Sequence, residues 1–281
     1  MMAKYQKYYQ DEYDSILSLV KNSDGDETVL SILMPMLNSA EVKLNISSCK
    51  KCNISKLCNA PVPFLLRDTN KDFNVIGLLE SPGKVEDGES DPIAGQSGKL
   101  IESTAKKIGL NINGFLNTVC CRTPESRSAT NEEIRSCRGN LNQQIELIDP
   151  WLIICFGTIP LQSMSRRLKI TKDHGVFFRT KLDSGKTYLC VGVYHPGYVI
   201  SNSRIKSEES KRILREWICD LRHISQIVDC REMFGAEIMM ESEKIAIKEH
   251  PYDFCENKDV KKTYLQKMEE NEKEYSYGGL F

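Results

Sequence analysis

Hydrophobic positions along this chain follow two rhythms. Residues 73–79, Phe-Asn-Val-Ile-Gly-Leu-Leu, are apolar at nearly every position, too much so for a strand with one wet face. They predict a strand buried on both sides. The runs at 114–120 (Gly-Phe-Leu-Asn-Thr-Val-Cys), 151–157 (Trp-Leu-Ile-Ile-Cys-Phe-Gly) and 188–194 (Tyr-Leu-Cys-Val-Gly-Val-Tyr) have the same texture. Between them the spacing changes to three and four. Leu100, Ile101, Ala105 and Ile108 mark one helix, with Gly109 as its stop. Thr130 with Glu133 forms a capping box for a second, whose stripe of Ile134, Cys137, Leu141, Ile145 and Ile148 lasts until Asp149 and Pro150. Ser207, followed by Glu208 and Glu209, opens a last helix with Ile213, Leu214, Trp217, Ile218 and Leu221 on one face.

Strands joined by helical crossovers predict an α/β fold, a three-layer αβα arrangement around a central four-stranded parallel sheet. In such folds ligands bind beyond the carboxyl ends of the strands. Glu80, Asn117 and His195 stand at or just past those ends.

The pattern divides the chain into three stretches. Residues 1–45 are polar and tyrosine-rich, with an apolar run interrupted by Pro35, and predict one or two helices packed on the outside. Residues 46–225 form the α/β domain. Residues 226–281 form a charged extension ending in Tyr-Ser-Tyr-Gly-Gly-Leu-Phe.

Composition narrows the class. Hydrophobic residues are 40% and charged residues 27% of the 281, as in globular proteins. No apolar run approaches the roughly 18 residues of a membrane span, and the amino-terminal residues lack the apolar core of a secretory signal. A cytoplasmic protein with no membrane partner is expected. The net charge of -1 argues against nucleic-acid binding by bulk basicity. Residues 241–281 carry ten acids and seven lysines, leaving 31 basic against 29 acidic residues elsewhere, so any DNA-binding face is a local patch.

Eleven cysteines without a secretion signal point to metal rather than disulfides. Cys49 and Cys52 form a CxxC pair; Cys121 and Cys137 lie sixteen residues apart downstream. Spacing alone leaves iron–sulfur and zinc both open. Cys155, Cys190 and Cys219, in apolar contexts, read as ordinary core thiols.

Ordered strings give a closer likeness. Leu79-Glu80-Ser81-Pro82-Gly83, Glu86-Asp87, and Pro92-Ile93-Ala94-Gly95-Gln96-Ser97-Gly98-Lys99-Leu100 resemble, with the same internal spacing, the GEAPGxxED and PFVGxAGxLL motifs of the iron–sulfur uracil-DNA glycosylases of the family 4 type. Asn117 to Pro124 resembles that family's NxVKCRPP, Pro150 to Gly157 its Pro-strand-Gly segment, and His195-Pro196-Gly197-Tyr198 its HPSY. The likeness covers about residues 49–220.

The resemblance implies a DNA glycosylase that flips a uracil or related pyrimidine from single- or double-stranded DNA and hydrolyses its N-glycosidic bond. It implies a structural 4Fe-4S cluster on Cys49, Cys52, Cys121 and Cys137, with Cys58 and Cys120 near enough to substitute. A carboxamide matches O4 and N3–H of uracil, which suits Asn117 to reading the base. His195 suits donation to the departing base oxygen. Glu80 and Glu86 suit stabilising the sugar cation or positioning water, and either can instead bind the loop backbone. Pro82 and Gly83 shape a turn beside a phosphate or base, and Ser203, Arg204 and Lys206 follow the HPGY string as DNA contacts. Ile93 replaces a phenylalanine that stacks on uracil, Leu79 a glycine and Cys120 a lysine. Those departures keep open a modified pyrimidine as substrate; an inactive DNA-binding or replication module with this fold is a further alternative, against which the retained Glu80, Asn117 and His195 favour an enzyme. The terminal Gly-Gly-Leu-Phe resembles tails that bind sliding clamps.

Overall fold

The structure, a computed structural model, describes residues 4–67, 74–205 and 207–234. Each apolar run becomes a strand where its residues can be buried on both faces: β2 (Val75–Leu79), β3 (Gly114–Asn117), β4 (Leu152–Phe156) and β6 (Thr187–Val193). These pair in parallel in the order β3-β2-β4-β6. Two edge strands extend the four to six. β1 (Leu65–Leu66) pairs antiparallel with β3, and β5 (Phe177–Lys181) antiparallel with β6. The antiparallel hairpin turns at Gly185, whose φ of +90° is a conformation glycine adopts without strain.

Helices fill the crossovers. α3 (Lys84–Glu89) and α4 (Gln96–Ile108) lie between β2 and β3, α5 (Asn131–Ile148) between β3 and β4, and α6 (Thr158–Met164) and α7 (Ile170–Asp173) between β4 and β5. α8 (Pro196–Ser203) and α9 (Glu208–Phe234) follow β6. The chain moves one way along the sheet from β2 to β3 and the other way from β3 to β4, so right-handed crossovers put α4 and α5 on opposite faces. α8 and α9 pack with α4, completing the αβα layers. α5 is set by the expected capping box, with both reciprocal hydrogen bonds of Thr130 and Glu133 formed, and ends at Asp149 in the left-handed region.

The amino-terminal residues form a helix pair, α1 (Lys4–Lys21) and α2 (Glu27–Ser47), packed on each other, with α2 touching α5. Pro35 lies inside α2 without ending it. Trp217, Phe115 and Phe156 are the largest fully buried side chains of the core. Ile227 and Val228 of α9 are also buried. Cys155 and Cys190 are buried as expected, whereas Cys219 is exposed: it lies on the outer side of α9, beside Glu216 and Asp220. No described helix is long and apolar enough to cross a membrane. The Gly-Gly-Leu-Phe tail and Lys206 lie outside the described residues.

Candidate active site

The strand order reverses between β2 and β4, which opens a crevice beyond their carboxyl ends. Glu80 follows β2 there, Asn117 is the last residue of β3, Gly157 follows β4, and His195 stands two residues past β6. Leu79 pairs in register with Asn117. The ladder continues past the strand ends, because Thr118 N–H donates to the Leu79 carbonyl (2.8 Å) and Val119 N–H to that of Glu80 (2.9 Å).

Asn117 is the most unusual of these side chains. It is 1% exposed, and neither its Nδ2 nor its Oδ1 has a hydrogen-bond partner. Buried amides in folded proteins are nearly always paired, and one left open costs about 1–3 kcal/mol. An open amide at this edge of a sheet has both a donor and an acceptor to offer a ligand.

His195 is the opposite case, held on several sides. Gly157, at φ +104°, passes so close that a Cβ there would come within 2.9 Å of the His195 Cβ. Gly197 N–H donates to Nδ1 at 3.0 Å. An Nδ1 that accepts cannot carry the proton, so the neutral ring bears it on Nε2. Burial depresses the pKa of His195, and the nearby Glu80 carboxylate opposes that. The ring is therefore a neutral imidazole with a directed Nε2–H at physiological pH. The preceding Tyr194 is fixed too: Trp217 Nε1 donates to its carbonyl (3.1 Å), its hydroxyl donates to Glu216 (3.0 Å), and its ring packs against His174 and Tyr198.

The carboxylates divide. Glu80 Oε1 accepts from Ala129 N–H (2.9 Å), which ties it to the loop before α5, and it lies near enough to act on His195. Glu86 sits between two bare turns: its Oε1 accepts from Gly95 N–H (3.0 Å), and a Cβ on Gly83 or Gly95 would collide with its carboxylate. Pro82 is buried and Gly83 caps α3 with an exposed backbone. Ile93 is 3% exposed, its N–H bound to Asp91, and the Gly98 backbone packs tightly on its carbonyl. Ser203 closes α8, its hydroxyl bound to the Ile200 carbonyl, and Arg204 is exposed. The structure thus gathers Glu80, Asn117 and His195 on one edge and turns Glu86 toward the backbone.

Several thiols from separate segments lie near one another. Cys52 interacts with Cys121, Cys137 and Cys49; Cys121 is in hydrogen-bonding reach of Cys58, and Cys137 of Cys120. Cys49 Sγ accepts from Asn140 Nδ2 (3.3 Å). Among the described residues no three His, Cys, Asp or Glu side chains stand at metal-binding spacing. The side chains that approach one another are thiols drawn from three separate segments, and thiolates are the donor type that soft metals take.

Sequence reasoning missed Gly157 as the support of His195, although a glycine directly after a buried strand is a signal for close approach. It quoted Asp87 within a motif without giving it a role, and it passed over Asn59.

The fold and this edge define a glycosylase-like α/β protein, and comparison with known proteins gives the family. The profile of the uracil DNA glycosylase superfamily matches residues 67–222, and the chain belongs to that superfamily. It is 28% identical over 175 residues to a type-4 uracil-DNA glycosylase of Archaeoglobus fulgidus, covering 60% of this chain and 86% of that one. Similar proteins of the same description occur in Saccharolobus solfataricus (30% over 181 residues, 61% and 82% covered) and Thermotoga maritima (29% over 171 residues, 59% and 85% covered).

Proposed function

We propose that this protein is a DNA glycosylase that extrudes uracil from DNA and hydrolyses its N-glycosidic bond, leaving an abasic site. The observation that carries the reading is the orphaned, buried carboxamide of Asn117 on the same sheet edge as a neutral, oriented His195. The amide supplies one donor and one acceptor, the complement of uracil O4 and N3–H. As the C1′–N1 bond breaks, negative charge gathers on the base, and His195 Nε2–H donates to the oxygen that receives it. Glu80, anchored by Ala129, faces the positive sugar and orients the attacking water. Glu86 acts by holding the Gly83 and Gly95 turns in the shape the base requires. Arg204, exposed at the end of α8, would contact DNA phosphates beside the pocket.

Cys49, Cys52, Cys121 and Cys137 would hold a 4Fe-4S cluster, which ties the amino-terminal segment and α5 to the sheet and takes no part in bond cleavage. Residues 46–225 would be the catalytic unit, in an intracellular, reducing setting that keeps thiolates available. A second reading, excision of a modified pyrimidine, is favoured by Ile93, which brings no ring to stack on the base.

Incubation with oligonucleotides carrying uracil or modified pyrimidines, followed by alkaline cleavage of abasic sites, tests both. Breakage at uracil is expected. Breakage only at a modified base would select the second reading, and no breakage at any base would leave a DNA-binding module without activity.

A further inference from the structure

The loop from Glu80 to Gly95 carries the pocket's turns, and a buried charge that the chemistry does not use stands in its middle. Asp87 is 3% exposed. Its Oδ1 accepts from the Asn59 N–H at 2.9 Å and its Oδ2 from Asn59 Nδ2 at 3.1 Å. Asn59 directly follows Cys58 in the thiol-bearing segment, while Glu86, next to Asp87, holds Gly95. Two further ties run the same way. Ser81 and Thr123 hydroxyls meet at 3.0 Å, and Ala129, between Cys121 and Cys137, binds Glu80. These three ties of the loop lead to segments that carry cysteines, while a fourth, between the Ser90 and Tyr9 hydroxyls at 3.3 Å, leads to α1.

We propose that Asp87 and Asn59 form a positioning latch, in which the thiol-bearing segment sets the turns of the base pocket through a two-point hydrogen bond. Asp87 touches neither base nor thiols in this scheme; it acts through Glu86 and the Gly83 and Gly95 turns. A six-residue helix has too few internal hydrogen bonds to hold its place alone, so α3 depends on such outside ties. The latch rests on the glycosylase reading above and deepens it.

Exchange of the pair tests it. Asp87→Leu removes both acceptors, and Asn59→Asp sets two carboxylates together, whereas the Asp87→Asn/Asn59→Asp double variant restores the side-chain bond with its polarity reversed and keeps an acceptor for the residue-59 N–H. Excision from uracil-containing oligonucleotides and the broad thiolate–iron absorbance are read for all four proteins. Each single variant is expected to raise KM about tenfold, with kcat changed less and absorbance retained. The double variant is expected to recover KM to within about threefold of the wild type, given the usual size of pairwise coupling. An unchanged KM in Asp87→Leu, or no recovery in the double variant, overturns the latch. Should Asp87→Leu not fold, Asn59→Ala, at an exposed position, must raise KM alone for the latch to stand. A wild-type protein that cleaves no uracil would instead remove the reading beneath it.

Discussion

Replacing Asn117 with leucine should make the protein more stable and almost inactive. The two side chains have the same branched shape, but leucine removes two polar atoms that are buried without a partner. Each such atom costs about 1–3 kcal/mol, and water entering the pocket returns part of that, so the net gain is about 1–2 kcal/mol. For a domain of this size that raises Tm by about 2–8 °C. The same change deletes the donor and acceptor that match the base edge, leaving O4 and N3–H unpaired in the pocket. At about 1–3 kcal/mol each, kcat/KM on uracil-containing DNA should fall between roughly 30-fold and 10⁴-fold. Thermal melts and alkaline cleavage of a labelled oligonucleotide read the two effects on one preparation. A variant that melts at or below the wild type would mean that the carboxamide is satisfied in the free protein. One that excises uracil at the wild-type rate would remove Asn117 from the pocket. Stability gained together with function lost is the signature of a group kept for a ligand.

Three further outcomes are expected. Because burial lowers the His195 pKa, the unfolded chain binds a proton near its ordinary pKa of about 6.5 that the folded chain refuses, so stability from this group is complete above that pH and lost as pH falls below it. His195→Gln should shrink the Tm difference between pH 7.5 and 5.5, and an unchanged difference would mean that the ring titrates normally. Anaerobically purified protein should absorb broadly near about 400 nm; Cys121→Ser or Cys137→Ser should abolish this while Cys58→Ser and Cys120→Ser keep it, and a colourless zinc-containing protein would contradict the cluster. Ile93→Phe adds a ring able to stack on a base and should shift relative excision rates toward uracil over bulkier pyrimidines; identical ratios would place Ile93 outside the pocket.

How much of this was legible beforehand depended on whether a feature is local in the chain. The four parallel strands, the Thr130 capping box and the Gly109 stop follow from spacings within about twenty residues, and the structure keeps them. The edge strands were not read. β1 is two residues long, and β5 mixes buried and exposed positions in a segment that reads as a connection until its partner β6 is beside it. Cys219 misled because its neighbours Trp217 and Ile218 are apolar; a helix turns it roughly 100° away from its neighbour, and it emerges on the solvent side. Glu80, Asn117 and His195 were placed on one edge by the strand ends. That Asn117 would be left unpaired, and that Gly157 would press against His195, are contacts between strands far apart in sequence.

The three side chains of the edge differ in how much of their hydrogen-bonding capacity the protein itself consumes. His195 has given Nδ1 to Gly197, which fixes the ring and leaves Nε2 as the donor. Glu80 has accepted from Ala129, which anchors a carboxylate near that ring without neutralising it. Asn117 has given nothing, and both of its polar atoms stay open. A group that must discriminate between base edges has to keep donor and acceptor together, whereas a group that must stabilise charge at one point gains by being immobilised before the charge appears. In the proposed mechanism the pattern of used and unused hydrogen bonds would thus separate recognition from catalysis within one strand-end crevice. It also explains why the supporting contacts are glycines and backbone amides: they fix an orientation without adding a charge that would compete with the leaving base.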